Sequence, residues 1–178
     1  MNFDHHIAHG QTEQGLGREF AVNSLGHTIV TGDTHDTGMV IVPGIVPSAA
    51  YAAGDAVGKA FAIVVPKEGF IETICVRDLD AETIQFDIVL FNEPITSGTD
   101  NSAYDMADLD ADKYVGHVTV TNADFVSFND NSVAIVPNIG LMYHAPKGVL
   151  YAQIVTRGAP TYGAAQDLAL RLIITKYS

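Results

Sequence analysis

The sequence predicts an all-β sandwich or barrel, and three observations carry that expectation. Apolar and polar residues alternate over short runs; clusters of Gly, Pro, Asn and Asp cut the runs; a single stretch has helical spacing. About eight to ten short strands separated by such turns fit a sandwich or closed barrel, not a parallel βαβ sheet. At 178 residues the chain makes one domain, or one domain with an arm. A chain of this size buries roughly 70% of its unfolded surface, enough for a true core.

Residues 1–24 are polar, punctuated by glycine and without a clear period, which predicts an extended N-terminal arm before a single domain over 25–178. Residues 28–31 (Thr-Ile-Val-Thr) read as a short strand and 32–38 (Gly-Asp-Thr-His-Asp-Thr-Gly) as a turn cluster. A second strand over 39–42 is closed by Pro43, Gly44 and Pro47. Strands over 59–65 and 70–77 flank a Pro-Lys-Glu-Gly turn at 66–69, and a polar turn occupies 78–81. In residues 83–91, Ile84, Phe86, Ile88 and Leu90 share one face while Gln85 and Asp87 take the other. That alternation predicts a half-buried strand. Pro94, lacking an N–H, ends its pairing.

Residues 100–113 form the helix candidate, with Ala103, Ala107 and Ala111 four apart and Asp100 or Ser102 placed to cap it. Strands resume over 114–120, 133–136, 148–156 and 168–175. In the last, Leu168, Leu170, Leu172 and Ile174 share a face opposite Arg171, Ile173 and Thr175, so it is expected inside a sheet and not frayed.

Composition excludes several functions. The net charge is −12, from 21 acidic against 9 basic residues, and a chain so acidic is repelled by phosphate backbones. Nucleic acid is therefore not an expected partner. Charged residues make up only 17% of the chain, below the ~25% of an average soluble protein. Either oligomer or lattice contacts cover much surface, or the surface is an uncharged Gly/Thr/Ser/Asn-rich β face. The single cysteine, Cys75, sits in an apolar run and reads as a buried, inert thiol. No apolar stretch approaches the ~20 residues of a membrane span, and the N-terminus has no signal-peptide pattern. Synthesis and folding in a cytoplasm, with no membrane partner, are expected.

No cluster reads as a catalytic or cofactor site. His5, His6 and His9 lie near Asp4, and His35 is flanked by Asp33 and Asp36, but the cupin-type His-x-His pair is missing. Asp105, Asp108, Asp110 and Asp112 suggest calcium; an EF-hand loop starting at Asp108 needs Gly and Glu where Lys113 and Thr119 stand. Gly54 to Lys59 is shorter than a phosphate-binding loop and lacks its Ser or Thr. There is no Gly-x-Ser-x-Gly elbow. The absence of tryptophan argues against a sugar cleft. A non-enzyme without metal or cofactor is expected.

Four blocks carry a resemblance: Tyr51-x-x-Gly54-Asp55-x-Val57-Gly58; Gly-Phe-Ile-Glu-Thr-Ile-Cys-Val-Arg-Asp at 69–78; Phe-Asp-Ile-Val-Leu-Phe-Asn at 86–92; and Thr-Asp-Asn-Ser-Ala-Tyr at 99–104, continuing into 108–116. In order and spacing, over residues 50–125, the chain resembles small virion proteins of tailed bacteriophages, some of them similar to capsid cement or decoration proteins. The resemblance implies a jelly-roll-like antiparallel β-sandwich with one short helix, on the outer surface of the capsid, tying major capsid protein subunits together. It implies a homo-oligomer as well, a trimer first and a dimer next. It brings no catalytic residue. Capsid contacts are expected from the arm, at Phe3, His5, His6, Leu16 and Phe20. The alternative is a tail or neck β-sandwich module for host-surface or glycan recognition.

Overall fold

The computed structural model describes residues 33–176, together with the backbone of His9–Gly10 and Arg18–Glu19. The chain divides into two units, Met1–Asp33 and Thr34–Ser178. In the first, β1 (His9–Gly10) and β2 (Arg18–Glu19) pair antiparallel. The strand expected over 28–31 lies outside the described residues.

The second unit is a two-sheet antiparallel assembly. Its strands are β3 (Thr34–Asp36), β4 (Val40–Ile41), β5 (Ala56–Val64), β6 (Glu68–Asp78), β7 (Phe86–Phe91) and β8 (Tyr114–Val120). They continue with β9 (Phe125–Phe128), β10 (Asn131–Val136), β11 (Leu141–His144), β12 (Val149–Thr156) and β13 (Leu168–Lys176). One sheet runs β5-β12-β7-β8. The other runs β3-β13-β6-β10-β9, with β4 on β13 and β11 on β6. The long strands β6 and β13 are its spine. Along the free edge of β6, β10 covers Ile74 to Asp78 and β11 covers Glu68 to Ile71. Along that of β13, β4 covers Ala169 and Leu170, and β3 covers Ile173 to Thr175.

The core lies between the sheets. From the seven-stranded sheet it takes Ile71, Ile74, Val76, Leu168, Leu170, Leu172 and Ile174; from the four-stranded sheet, Ile88, Leu90, Val118, Leu150 and Ile154. Each such side chain contributes about 1.5–3 kcal/mol relative to exposure. The last strand is built into the sheet, as its leucine face predicts.

Two bulges set the phase of the spine and of the edge. Ile71 and Ile74 are three apart, so strict alternation would send them to opposite faces, yet both are fully buried. The register on β13 skips Glu72, and that bulge turns both isoleucines inward. The Glu72 carbonyl, left without a ladder partner there, accepts from the Ile139 amide at 3.0 Å. In β5, the residues between Val57 and Phe61 face the single Gln153 of β12. Every amide freed there finds a partner: Gly58 N–H donates to Asp100 Oδ1 at 2.6 Å, Lys59 N–H to the Pro43 carbonyl at 2.7 Å, and Ala60 N–H to Ser97 Oγ at 2.8 Å.

Several expectations are corrected. Residues 34–36 are a strand and not part of a turn cluster, because the edge of β13 beyond Ile173 takes them as a partner. The strands β9 and β11 were not legible as strands. The run at 83–91 pairs only from Phe86, since the Asp78 carboxylate accepts from Asp80 N–H (3.0 Å) and Thr83 N–H (3.2 Å) and holds the preceding residues in a turn. Nor is β7 half-buried. All six of its residues are buried, because residues of 92–113 pack on Val89 and Phe91 and the Arg157 side chain holds Asp87.

The helix expected over 100–113 shrinks to the single turn α1 (Asp108–Ala111), with Ala107 at its N-cap. Asp100 caps nothing. Its carboxylate accepts from Val46 N–H at 3.0 Å, the Tyr51 hydroxyl at 2.7 Å and Gly58 N–H, while Ala103 bridges to Asp55.

Gly58 has φ +65°, and a Cβ there would meet the Pro43 carbonyl oxygen at 2.5 Å; Gly38 has φ +67° with nothing within 4 Å. Gly58→Ala should therefore cost about 2–4 kcal/mol, and Gly38→Ala only the left-handed penalty of about 1–2 kcal/mol, in urea unfolding. Equal costs would rule out the close approach.

Burial first, then the hydrogen bond and charge of Asp100, raise the Tyr51 phenol above its ordinary range. Burial pushes Tyr143 up to about 12 and Tyr162 well above its usual value. A raised phenol favours the neutral, folded form, so this stability is present below the ordinary tyrosine pKa near 10 and is lost as pH rises through about 12. Alkaline titration followed by phenolate absorbance and circular dichroism should show these tyrosines ionising together with unfolding. Ionisation of all tyrosines in a folded protein would contradict this.

Candidate functional site

Two surfaces of the sandwich carry more than framework. The first is the outer face of the four-stranded sheet. Register places its outward residues in three rows: Val155, Asp87, Thr119; Gln153, Val89, His117; and Tyr151, Phe91, Tyr114. Val89, Phe91 and Val155 form a second apolar cluster with Ile95, Tyr104 and Met106 from the crossing segment.

That segment is pinned at both ends by aspartates. Asp100 holds one end, as above. At the other, Asp110 accepts from Thr96 N–H (2.9 Å) and from Lys113 Nζ (2.6 Å), and Lys113 also donates to the Pro94 carbonyl (2.8 Å). The Lys113 and Thr96 bonds hold the Asp110 carboxyl below its ordinary value. Between the pins, Gly98 N–H donates to the Gln153 side chain (3.1 Å), and a Cβ on Gly98 would meet that of Ala56 at 2.7 Å. Tyr104 N–H donates to the Gly54 carbonyl (2.9 Å).

Beside this cover lies a cleft of about 450 Å³, within the range of small-molecule sites. Val89 and Val155 form its floor; Tyr104 and Met106 come from the crossing segment, Tyr114 and His117 from β8. At one end the Arg157 guanidinium holds Asp87 Oδ2 through Nε (2.7 Å) and Nη2 (2.5 Å), and Thr119 Oγ1 donates to Asp87 Oδ1 (2.6 Å). Asp87 is buried, whereas the Arg157 side chain is 47% exposed. The Tyr114 hydroxyl and His117 Nδ1 are 2.6 Å apart with their rings stacked, and Phe91 meets Tyr114 edge-on. Burial, then the charges of Asp110 and Asp105, raise the Tyr104 phenol.

The second surface is the outer face of the seven-stranded sheet. Val126, Phe128, Ile135 and Met142 are each more than half exposed there, and Ile41 is 45% exposed. Two arginines are set among them. Arg171 lies opposite Cys75, its Nη2 3.5 Å from Sγ, and Arg77 lies opposite Ala169 and donates to the Gln166 carbonyl at 3.1 Å. The Nε atoms of both are buried without a hydrogen-bond partner.

The residues weighed in the sequence fall as follows. Phe3, His5, His6, Leu16 and Phe20 lie outside the described residues. Cys75 is buried. The acidic run is not a cage: Asp110 turns inward to structural bonds while Asp105, Asp108 and Asp112 are exposed. Among the described residues no group of three or more His, Cys, Asp or Glu side chains is placed to hold a metal ion. Gly58 in the Gly54–Lys59 stretch gives its amide to Asp100, and so does not cradle an anion. The cleft was missed because its walls come from residues 104–117 and its charged end from Asp87 and Arg157; the usable signal was an aspartate on the polar side of an otherwise apolar strand. Comparisons with protein-family models, with curated proteins and with solved structures give no match to this chain.

Arg157→Ala leaves Asp87 buried with Thr119 alone, and should lower stability by about 1–2 kcal/mol, the half-exposed guanidinium keeping the loss modest. A double-mutant cycle with Asp87→Asn should return a coupling of about 1 kcal/mol. Strict additivity would mean that the pair contributes nothing.

Proposed function

We propose that this chain is a non-enzymatic virion protein of the capsid cement or decoration type. It is made in the host cytoplasm, binds the outer surface of a tailed-phage head, and ties neighbouring major capsid protein subunits together. The observation that carries this reading is the apolar outer face of the seven-stranded sheet. Four large side chains more than half exposed on one face, in a chain with only 17% charged residues, fit a surface made for contact.

Strand order supports the jelly-roll part of the proposal. Number eight strands in chain order, with β3 and β4 as the first, β5 to β8 as the second to fifth, β9 and β10 as the sixth, then β12 and β13. The first pairs with the eighth, the second with the seventh, the third with the sixth and the fourth with the fifth. The eighth then lies beside the third and the seventh beside the fourth. That is one long antiparallel hairpin rolled upon itself.

The resembling blocks are compatible with a structural role. Tyr51 and Gly58, which lie in the first of them, both donate to Asp100 in the last. A homo-oligomer, a trimer at a three-fold position first and a dimer at a two-fold next, would repeat the contact around the shell and gain strength by multivalency. Residues 1–24 supply the arm in this reading, with Phe3, His5, His6, Leu16 and Phe20 as its contacts. The second reading, a tail or neck module for host-surface or glycan recognition, is favoured by the cleft on the opposite sheet.

Cosedimentation with expanded capsids tests the first reading. The intact protein should pellet with capsids, and both deletion of residues 1–24 and the pair Ile135→Asp with Met142→Asp should reduce the bound fraction several-fold while the melting temperature holds. Full binding by the deletion would remove the arm; full binding by the pair would remove the face. Failure of the intact protein to bind capsids, with binding to tails or cells, would replace the reading by the second.

A further inference from the structure

We infer that the cleft between the four-stranded sheet and the segment crossing it binds a neutral sugar ring, a hexose or N-acetylhexosamine unit of a glycan. The inference stands on the cleft alone and holds for whichever part of a particle carries the chain.

The shape of the site comes first. Val89 and Val155 give a dry floor, and Tyr104 and Tyr114, from different segments, give two aromatic walls. A pyranose presents apolar C–H faces and a girdle of hydroxyls, which matches aromatic faces beside a few fixed polar groups. The tyrosines are positioned before any ligand arrives. Tyr104 is tied through its amide to Gly54, and Tyr114 by its hydroxyl to His117 and edge-on to Phe91.

The charge balance then selects the class. Arg157 and Asp87 neutralise each other at one end of the cleft and are held by three short bonds, so neither is free to take a counter-ion. Asp105 and Asp110 impose a negative field at Tyr104, which disfavours an anionic ligand. At the other end the Asp87 carboxylate is already taken by Arg157 and Thr119, so a cationic ligand finds no free counter-charge there. A neutral polyol meets neither penalty. The half-exposed guanidinium can donate to its hydroxyls, and so can the exposed His117 ring, whose Nε2 carries the proton when the Tyr114 hydroxyl donates to Nδ1.

Absence of tryptophan, which counted against a sugar cleft in the sequence, loses its weight here. Two tyrosines and a histidine converge from residues 104, 114 and 117 across a chain reversal that composition does not show.

The test is a backbone amide NMR titration of the full chain with glucose, galactose and N-acetylglucosamine, using N-acetylneuraminic acid and choline as charged probes. At least one neutral sugar should shift the amides of Tyr104, Met106, Tyr114 and His117 in a saturable way. Tyr104→Ala or His117→Ala, folded by the same spectra, should weaken that binding about 10-fold, or roughly 1.4 kcal/mol. Cleft shifts from no neutral sugar, shifts from the charged probes alone, or unchanged affinity in both variants would each overturn the inference. None of these outcomes depends on capsid binding, so the cement reading stands or falls separately.

Discussion

The Asp100 carboxylate is the contact on which the rest of the sandwich depends. It gathers three points 42 to 54 residues away from it in sequence: the loop at Val46, the Tyr51 side chain and the β5 bulge at Gly58. Two of these donors, the Tyr51 hydroxyl and the Gly58 amide, would otherwise face a poor alternative. An amide released by a bulge and a hydroxyl on a buried ring both cost free energy if left unbonded. A single charged acceptor satisfies all three, and charge-assisted bonds of this kind are the stronger sort. The same carboxylate fixes where the chain leaves the edge of β5 to cross the four-stranded sheet. Asp110 fixes where it comes back. With both ends held, residues 92–113 act as a third layer over Val89 and Phe91 of β7.

This third layer explains why a four-residue helix suffices where fourteen residues have helical spacing. Helix nucleation is costly and short helices are marginal alone. Here the backbone groups of 98–104 are taken by bridges to Gly54, Ala56 and Gln153 before any helix could use them. Only past Ala107 is the chain free to turn. The alanines at 103, 107 and 111, which suggest a buried helix face, are all exposed.

What was legible in the sequence follows from this division. A strand whose alternation is unbroken, such as 168–175, could be placed by period alone, because one face meets the core and the other does not; in 114–120 the period holds only from Gly116, since the register slips at Val115 and turns Tyr114 outward. Phase errors arise at the bulges: nothing in Phe-Ile-Glu-Thr-Ile announces that Glu72 drops out of register. The short edge strands β3, β9 and β11 were invisible because a neighbour's free edge defines them, not their own pattern. Asp87 points outward as its alternation predicts; that it would be buried there depended on Arg157 and Thr119, which come from elsewhere in the sequence. The cleft was illegible for the same reason.

The two outer faces of the sandwich place opposite demands on their polar residues. On the four-stranded side, the ion pair of Asp87 and Arg157 sits at the end of the apolar floor, so the polar groups line a concave space. On the seven-stranded side, Arg77 and Arg171 are spread within an apolar surface with their Nε atoms already buried. Their stems lie beside Ala169 and Cys75, small residues that are 0% and 5% exposed though they point outward. Long basic side chains commonly cover apolar surface in this way while the charged tip stays wet. A face built so is less apolar to water than its list of side chains implies. The guanidinium tips are partly satisfied within the chain itself, Arg77 by the Gln166 carbonyl and Arg171 by the Asp36 carboxylate 3.7 Å away. Those two arginines temper the apolar character that the exposed Phe128 and Met142 give this face.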